Sequence, residues 1–228
     1  MSTFLELCTR LHQDLRVGGS LASVVGQTGM LKRVVDSISK ANRKIQRRKT
    51  NWKFLWSEWE LTLTTDSEYS PPDGLGSFDE TSFWIDVGTD DVRMIQYVDY
   101  KEYRDVYRTM LTDTDEIEIV TIKPNGRHGV SPSPNTDSVG KIITCDYWRS
   151  PVELTANNQI SQIPPQFHDA IIAQAKMYFA DIQHDTGWYN SSFAEHEMIY
   201  AELKAHSLPG KEDDRKSESS INRVIEVM

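Results

Sequence analysis

Apolar residues recur at steps of three and four from Leu31 onward. Leu31, Val34, Val35, Ile38, Ala41 and Ile45 fall on one face of a helix. That spacing predicts a long amphipathic helix over 29–50, entered through the turn Gly26-Gln27-Thr28-Gly29. An earlier stripe of Phe4, Leu7, Cys8, Leu11 and Leu15 predicts a helix over 4–16. Thr3 and Glu6 stand at capping-box spacing before it, and Gly18-Gly19-Ser20 ends it. On that stripe Cys8 reads as a small buried hydrophobe, and Cys145 in a strand-like run reads the same way. Two cysteines make no case for a disulfide framework.

Past Trp52 the period changes from helical to alternating. Trp59, Leu61 and Leu63 alternate with Glu60, Thr62 and Thr64, the pattern of a half-buried strand. Short strands are expected at 83–87, 92–98, 116–122 and 139–147. The run Tyr69-Ser70-Pro71-Pro72-Asp73-Gly74-Leu75-Gly76 reads as a loop, and 124–135 as an exposed hairpin or loop. Asp99 and Glu102 form a second capping-box pair, opening a helix over 100–111 with Tyr103, Val106, Tyr107 and Met110 on one side. Pro164-Pro165 open a further helix over 165–186, proline being tolerated in a first turn. After a break near Gly187, Phe193, Tyr200 and Leu203 carry a last helix over 189–206. The fold expected is α+β: a bundle of four to five helices, a small antiparallel β-sheet subdomain covering about 53–98 and 116–148, and an extended C-terminal tail. The body spans 1–209. Within 210–228, Lys211 to Ser220 (KEDDRKSESS) contains no apolar residue and is expected to be disordered in the free protein.

Formal net charge is −9, unevenly placed. Lys32 to Lys53 hold nine basic residues against Asp36 alone, a local +8 that leaves −17 for the rest. Such a helix suits an acidic partner surface or nucleic acid, and equally a solvated face. Trp52, Trp56 and Trp59 adjoin it, and core residues under the long helix are the better reading than a base-stacking platform. No apolar run approaches the roughly 20 residues that span a bilayer, and no basic-then-apolar leader opens the chain, so no membrane partner is expected.

Catalytic, cofactor and metal signatures do not appear. Phosphate-binding and dinucleotide glycine patterns, the G-x-S-x-G nucleophile elbow, H-E-x-x-H and C-x-x-C are all missing. The six histidines are scattered singly and read as surface or capping residues. His168 and His184 would lie on the order of 24 Å apart on one helix, too far for one metal. Asp113-x-Asp115 begins like a calcium loop, but Glu118 replaces its glycine and Pro124 its bidentate glutamate. No catalytic residue, cofactor or metal ligand is therefore nominated.

The ordered set of landmarks resembles the head-to-tail adaptor, or head completion, proteins of tailed bacteriophages. In that family a leucine-rich helix, a G-Q-T-G-like turn, a long helix with I-Q near its end and a Trp-rich strand follow one another. The matching residues here are Val25, Gly26, Gln27, Thr28, Gly29, Arg33, Val34, Ala41, Ile45, Gln46 and Trp52. The resemblance returns at Tyr147-Trp148-Arg149-Ser150-Pro151, at Leu154 and at Ile163-Pro164-Pro165-Gln166-Phe167-His168.

The resemblance implies a structural virion protein of the neck, made in the host cytoplasm and without enzymatic activity. It would form a ring of twelve copies under the portal protein, attach a tail completion or stopper protein, and pass DNA through a channel without sequence-specific binding. It also implies portal docking by the C-terminal residues Ile221, Val224, Ile225, Val227 and Met228, as a helix or as an added strand. On this reading Lys40, Arg43, Lys44, Arg47 and Arg48 form an inter-subunit basic face. Tyr69, Pro71, Pro72, Arg127 and His128 then belong to tail-facing or lumen loops. The alternative is a DNA-binding module using the basic helix over 32–53.

Overall fold

The computed structural model describes residues 2–88, 91–107 and 116–209, those at 87, 88 and 91 by their backbone alone. The predicted C-terminal docking residues and the end of the predicted 100–111 helix lie outside the described residues. The fold is α+β, with five helices and small sheets among the described residues. The chain divides into two compact units, Met1–Leu55 with Pro151–Met228, and Trp56–Ser150.

The helical unit is built from α1 (Phe4–Leu15), α2 (Gly29–Arg47), α4 (His168–Gln183) and α5 (Thr186–Ser207). At the start of α1 the Thr3 hydroxyl accepts from the Glu6 N–H, and the Thr3 N–H donates to the Glu6 carboxylate, closing the expected capping box. Phe4, Leu7, Cys8 and Leu11 are buried, as are Val34, Ile38, Ala41 and Ile45 of α2. α2 enters through Gly26 and Gly29, both at positive φ, a backbone conformation that side chains with a Cβ disfavour. α4 is the centre of the unit. Its Ala-rich sequence is buried on nearly every side, as expected for a helix packed against α1, α2 and α5 at once.

The break between the last two helices falls at His184-Asp185, not at Gly187 as expected. His184 takes the left-handed cap conformation, and Asp185 caps the next helix by accepting from the Trp188 N–H at 2.8 Å. An Asp N-cap satisfies an otherwise unpaired donor, so the helix starts at Thr186 and absorbs the glycine.

The β unit carries two sheets. Five strands form the first: β1 (Trp56–Thr62), β3 (Leu75–Phe78), β4 (Trp84–Gly88), β5 (Asp91–Met94) and β9 (Ile142–Arg149). β9 is central, antiparallel to β1 over Trp56↔Trp148 to Thr62↔Ile142, and to β3 and β4 on its other edge. Gly76 is required where β3 meets β9, because a Cβ there would stand 2.8 Å from the Trp148 carbonyl oxygen. The second sheet runs in the order β2 (Glu68–Tyr69), β8 (His128–Ser131), β7 (Ile119–Ile122), β6 (Gln96–Tyr97), with only the β6–β7 pair parallel. Leu63, Tyr69, Phe83, Ile85, Ile95, Val120, Val130, Ile143 and Cys145 share one core.

Several expectations need correction here. The predicted 92–98 strand is two strands, β5 and β6, one in each sheet, with buried Ile95 between them. The predicted helix over 100–111 starts as α3 (Tyr100–Glu102) and continues as a π-helical turn, Tyr103–Tyr107, with no buried residue in either. The 124–135 segment is not an exposed loop throughout. All four residues of β8 are buried, because the strand is hydrogen-bonded between β2 and β7.

Candidate functional site

The basic face of α2 forms one wall of an open groove of about 810 Å³, which Glu153, Leu154, Thr155 and Tyr178 also line. A buried polar stripe on α2 fixes its position. The Asn42 side chain donates to the Val152 carbonyl at 3.2 Å and accepts from the Ser161 hydroxyl at 2.6 Å and from the Gln46 amide at 3.0 Å. Ser39 donates to the Leu154 carbonyl at 3.0 Å. The Trp52 indole N–H donates to the Gln46 carbonyl at 3.1 Å, closing the far end of the helix. These bonds tie 152–163 along α2, so the cations project from a fixed surface. Among these residues Gln46 and Trp52 were already marked by the resemblance. Ser39 and Asn42 were not, since a polar residue at a helical core position is visible only as an interruption of the stripe.

Lys40, Arg43, Lys44 and Arg47 are exposed, and Arg48 is half-buried. Their roles differ. Lys40 and Lys44 sit over the Tyr178 ring, at 4.3 and 5.3 Å from its centroid. Arg43 approaches Glu153 at 3.6 Å. Arg48 stacks on Tyr200 at 4.5 Å and meets Glu197 at 3.5 Å, so its guanidinium is engaged within its own unit. Arg47 forms no ion pair among the described residues. A wall of cations that outnumbers its lining carboxylates, Asp36 and Glu153, attracts anionic groups.

The residues expected in loops separate into two groups. Pro71 and Pro72 are half-buried and Arg127 is exposed. Tyr69 and His128, by contrast, are core residues opposite each other in the β2–β8 pair. The Tyr69 hydroxyl donates to the Asp66 carbonyl at 2.6 Å, which makes burial of this ring favourable. His128 lies 4.9 Å from the Trp59 ring and 4.5 Å from the Phe78 ring, centroid to centroid. Neither of its nitrogens has a hydrogen-bond partner among the described residues, and burial pushes its pKa down to about 4.

Two more histidines expected at the surface are buried. His168 bonds the Ile163 carbonyl at 3.0 Å and His196 the Ala170 carbonyl at 3.2 Å. Burial lowers the pKa of each. Both thiols are buried as expected, and burial raises the pKa of Cys8 and of Cys145 to about 12. Of the three tryptophans near α2, Trp52 is fully buried, Trp59 packs into the β core, and Trp56 is 53% exposed. Of the three expected as core residues, Trp52 packs within the unit of α2 and Trp59 against the β core, while Trp56 is left exposed. Alternation along β1 turns Trp56 and Trp59 to opposite faces of the sheet.

Among the described residues no cluster of His, Cys, Asp or Glu could hold a metal ion, and no helix is long and apolar enough to cross a membrane. The prominent features among the described residues are surfaces, the basic face of α2 foremost. The SU10 adaptor protein family model matches residues 2–224, so the chain belongs to that family of phage head-to-tail adaptors. It is a structural adaptor of the phage virion, a family role that involves association with other virion proteins such as the portal. No curated protein matches the chain.

Proposed function

We propose that twelve copies form a ring beneath the portal in the virion neck, joining the DNA-filled head to the tail around a DNA channel. The family match across 2–224 carries this reading. The acidic balance outside α2 supports it, because a positive channel wall would hold the phosphate backbone instead of letting it pass. Ile221, Val224, Ile225, Val227 and Met228 dock on the portal after the polar tether before them. Pro71, Pro72 and Arg127 serve tail-side or lumen contacts with a completion or stopper protein. At −9 per copy the subunits repel one another, so the ring forms on a portal template and the free protein is a monomer.

Native mass measurement of the protein alone and with its portal tests this reading. A monomer alone and a portal-bound ring are expected; a stable portal-free dodecamer at low concentration overturns the template requirement. Deleting 211–228 is expected to leave the melting temperature unchanged while abolishing binding to portal-containing heads. A second reading, a DNA-binding module using 32–53, rests on the same exposed cations of α2. Retention on DNA that collapses with added salt, without any portal complex, would favour it.

A further inference from the structure

The outer face of the five-stranded sheet is apolar and acidic at once. Alternation places Trp56, Glu58 and Glu60 of β1, Asp146 and Trp148 of β9, Trp84 of β4, and Val92 and Met94 of β5 on the side away from the β core. Trp56 is 53% exposed, Trp84 41%, Val92 56% and Met94 52%. A row of large apolar side chains left in water on one sheet face marks a contact surface. No Lys or Arg stands at these paired positions, and Glu58, Glu60 and Asp146 form no ion pair among the described residues.

Glu58 lies directly across from Asp146 in the β1–β9 register, a like-charge pair that weakens the sheet unless a cation arrives. Partial burial, then Asp79 and Glu58, raise the Asp146 pKa, while a hydrogen bond from Trp56 acts against them.

Resting on the ring reading above, we propose that the basic face of α2 in one copy docks on this outer sheet face in the next copy. The contact joins two different patches of the same chain, the head-to-tail geometry that generates rings. The charges are complementary: Arg43, Lys44 and Arg47 on one side meet Glu58, Glu60 and Asp146 on the other. Guanidinium groups pair with carboxylates in a planar fork and stack on indole rings, and this face offers both beside Trp56 and Trp148. Trp, Met and Arg are also the residue types enriched in buried interface centres. Phosphate backbone does not fit the sheet face, whose carboxylates would repel it.

Reciprocal charge reversal tests the pairing. One variant carries Arg43→Glu and Arg47→Glu, the other Glu58→Lys and Glu60→Lys. All four positions are exposed, so melting temperatures close to wild type are expected and verify folding. Each variant alone is expected to lose ring formation on the portal by about tenfold or more, since like charges then face each other. An equimolar mixture is expected to restore rings of alternating copies, because every reversed face then meets a complementary one.

Rings from either variant alone, or no rescue on mixing, overturn this interface while wild-type rings stand. Normal rings from the arginine variant with lost DNA retention assign α2 to DNA instead. Wild-type protein that never loads the portal as a ring defeats the ring reading itself, and this contact falls with it. Should a reversal lower the melting temperature, the milder Arg47→Gln and Glu60→Gln keep the test open. Each is expected to weaken ring formation alone, and unchanged assembly of both overturns the proposal.

Discussion

Asn42 in the helical unit and His128 in the β unit are buried in opposite ways. In the helical unit Asn42 is fully buried and uses both ends of its amide, linking α2 to Val152 and Ser161. In the β unit His128 is as deeply buried, yet lies between Trp59 and Phe78 with neither ring nitrogen hydrogen-bonded among the described residues. A satisfied buried amide specifies one arrangement of its neighbours, whereas an unsatisfied imidazole costs stability when packed and more when charged. At Asn42 the helical unit therefore holds two of its segments by directional bonds. The β unit relies on aromatic packing around a group that must stay neutral.

The largest expected effect breaks the helical side of this contrast. Trp52 is fully buried, stacked on Phe54 at 5.2 Å and edge-on to Tyr200 at 6.1 Å, with its N–H bonded to Gln46. Trp52→Ala should destabilise that unit by about 4 kcal/mol, combining lost burial with a cavity. Hydrogen exchange resolved by segment checks it: amides of α2, α4 and α5 should lose protection while those of β7 and β9 keep theirs. Equal loss in both units would show that they unfold as one.

Acid should strike the β side next. His128 is neutral in the fold, with a pKa of about 4 against an ordinary 6.5. As pH falls below 6.5 the unfolded chain takes up the proton first, so stability drops progressively until about pH 4 and then levels off. The loss from this residue alone is about 3 kcal/mol. His168 and His196, also shifted down, add loss in the same direction within the helical unit. His128→Leu should flatten the acid dependence of the β unit only, measured by urea unfolding at pH 7 and pH 5. A variant whose β unit remains as acid-sensitive as wild type would discharge His128 from this role.

Legibility in the sequence followed the range of the interactions. Helices α1, α2, α4 and α5 were legible from apolar steps along the chain, and the Thr3–Glu6 box was readable because its two members are three residues apart. Strands β2, β3 and β8 were not readable. β2 and β3 are two and four residues long among prolines and glycines, and they exist because distant strands present free edges to them. Composition alone made Tyr69 and His128 loop residues; pairing across the sheet buried them. The cations of α2 were legible as charge, but their division into engaged Arg48 and exposed Arg47 depends on α5, more than a hundred residues away. The acidic, aromatic outer face of the sheet was likewise hidden, since it appears only when β1, β4, β5 and β9 are laid side by side.

Asn42→Ala sharpens the contrast at intermediate size. It leaves the Ser161 hydroxyl and the Val152 carbonyl without this partner, so about 2 kcal/mol should be lost. A loss below about 0.5 kcal/mol in chemical denaturation, the range of ordinary surface changes, would mean the stripe does not hold 152–163 in place.

The smallest effect concerns the start of α1, where the two kinds of support occur together. Thr3 caps the helix with its hydroxyl, but the first two helical N–H groups are satisfied elsewhere: Phe4 donates to the Gln159 carbonyl at 2.7 Å and Leu5 to the Asn157 carbonyl at 3.2 Å. A residue that served as sole cap would cost up to about 2 kcal/mol when truncated. Here Thr3→Ala removes one bond at the Glu6 N–H and leaves the two loop bonds standing, so the loss should be nearer 0.5–1 kcal/mol. Asn157 itself is held by Ser23 and by the Val24 N–H at 2.7 Å, which makes the 157–159 loop the stronger part of this cap. Asn157→Ala should therefore destabilise α1 more than Thr3→Ala does, as read by exchange of the Leu7 and Cys8 amides. The reverse order would place the strength of the cap in the capping box instead.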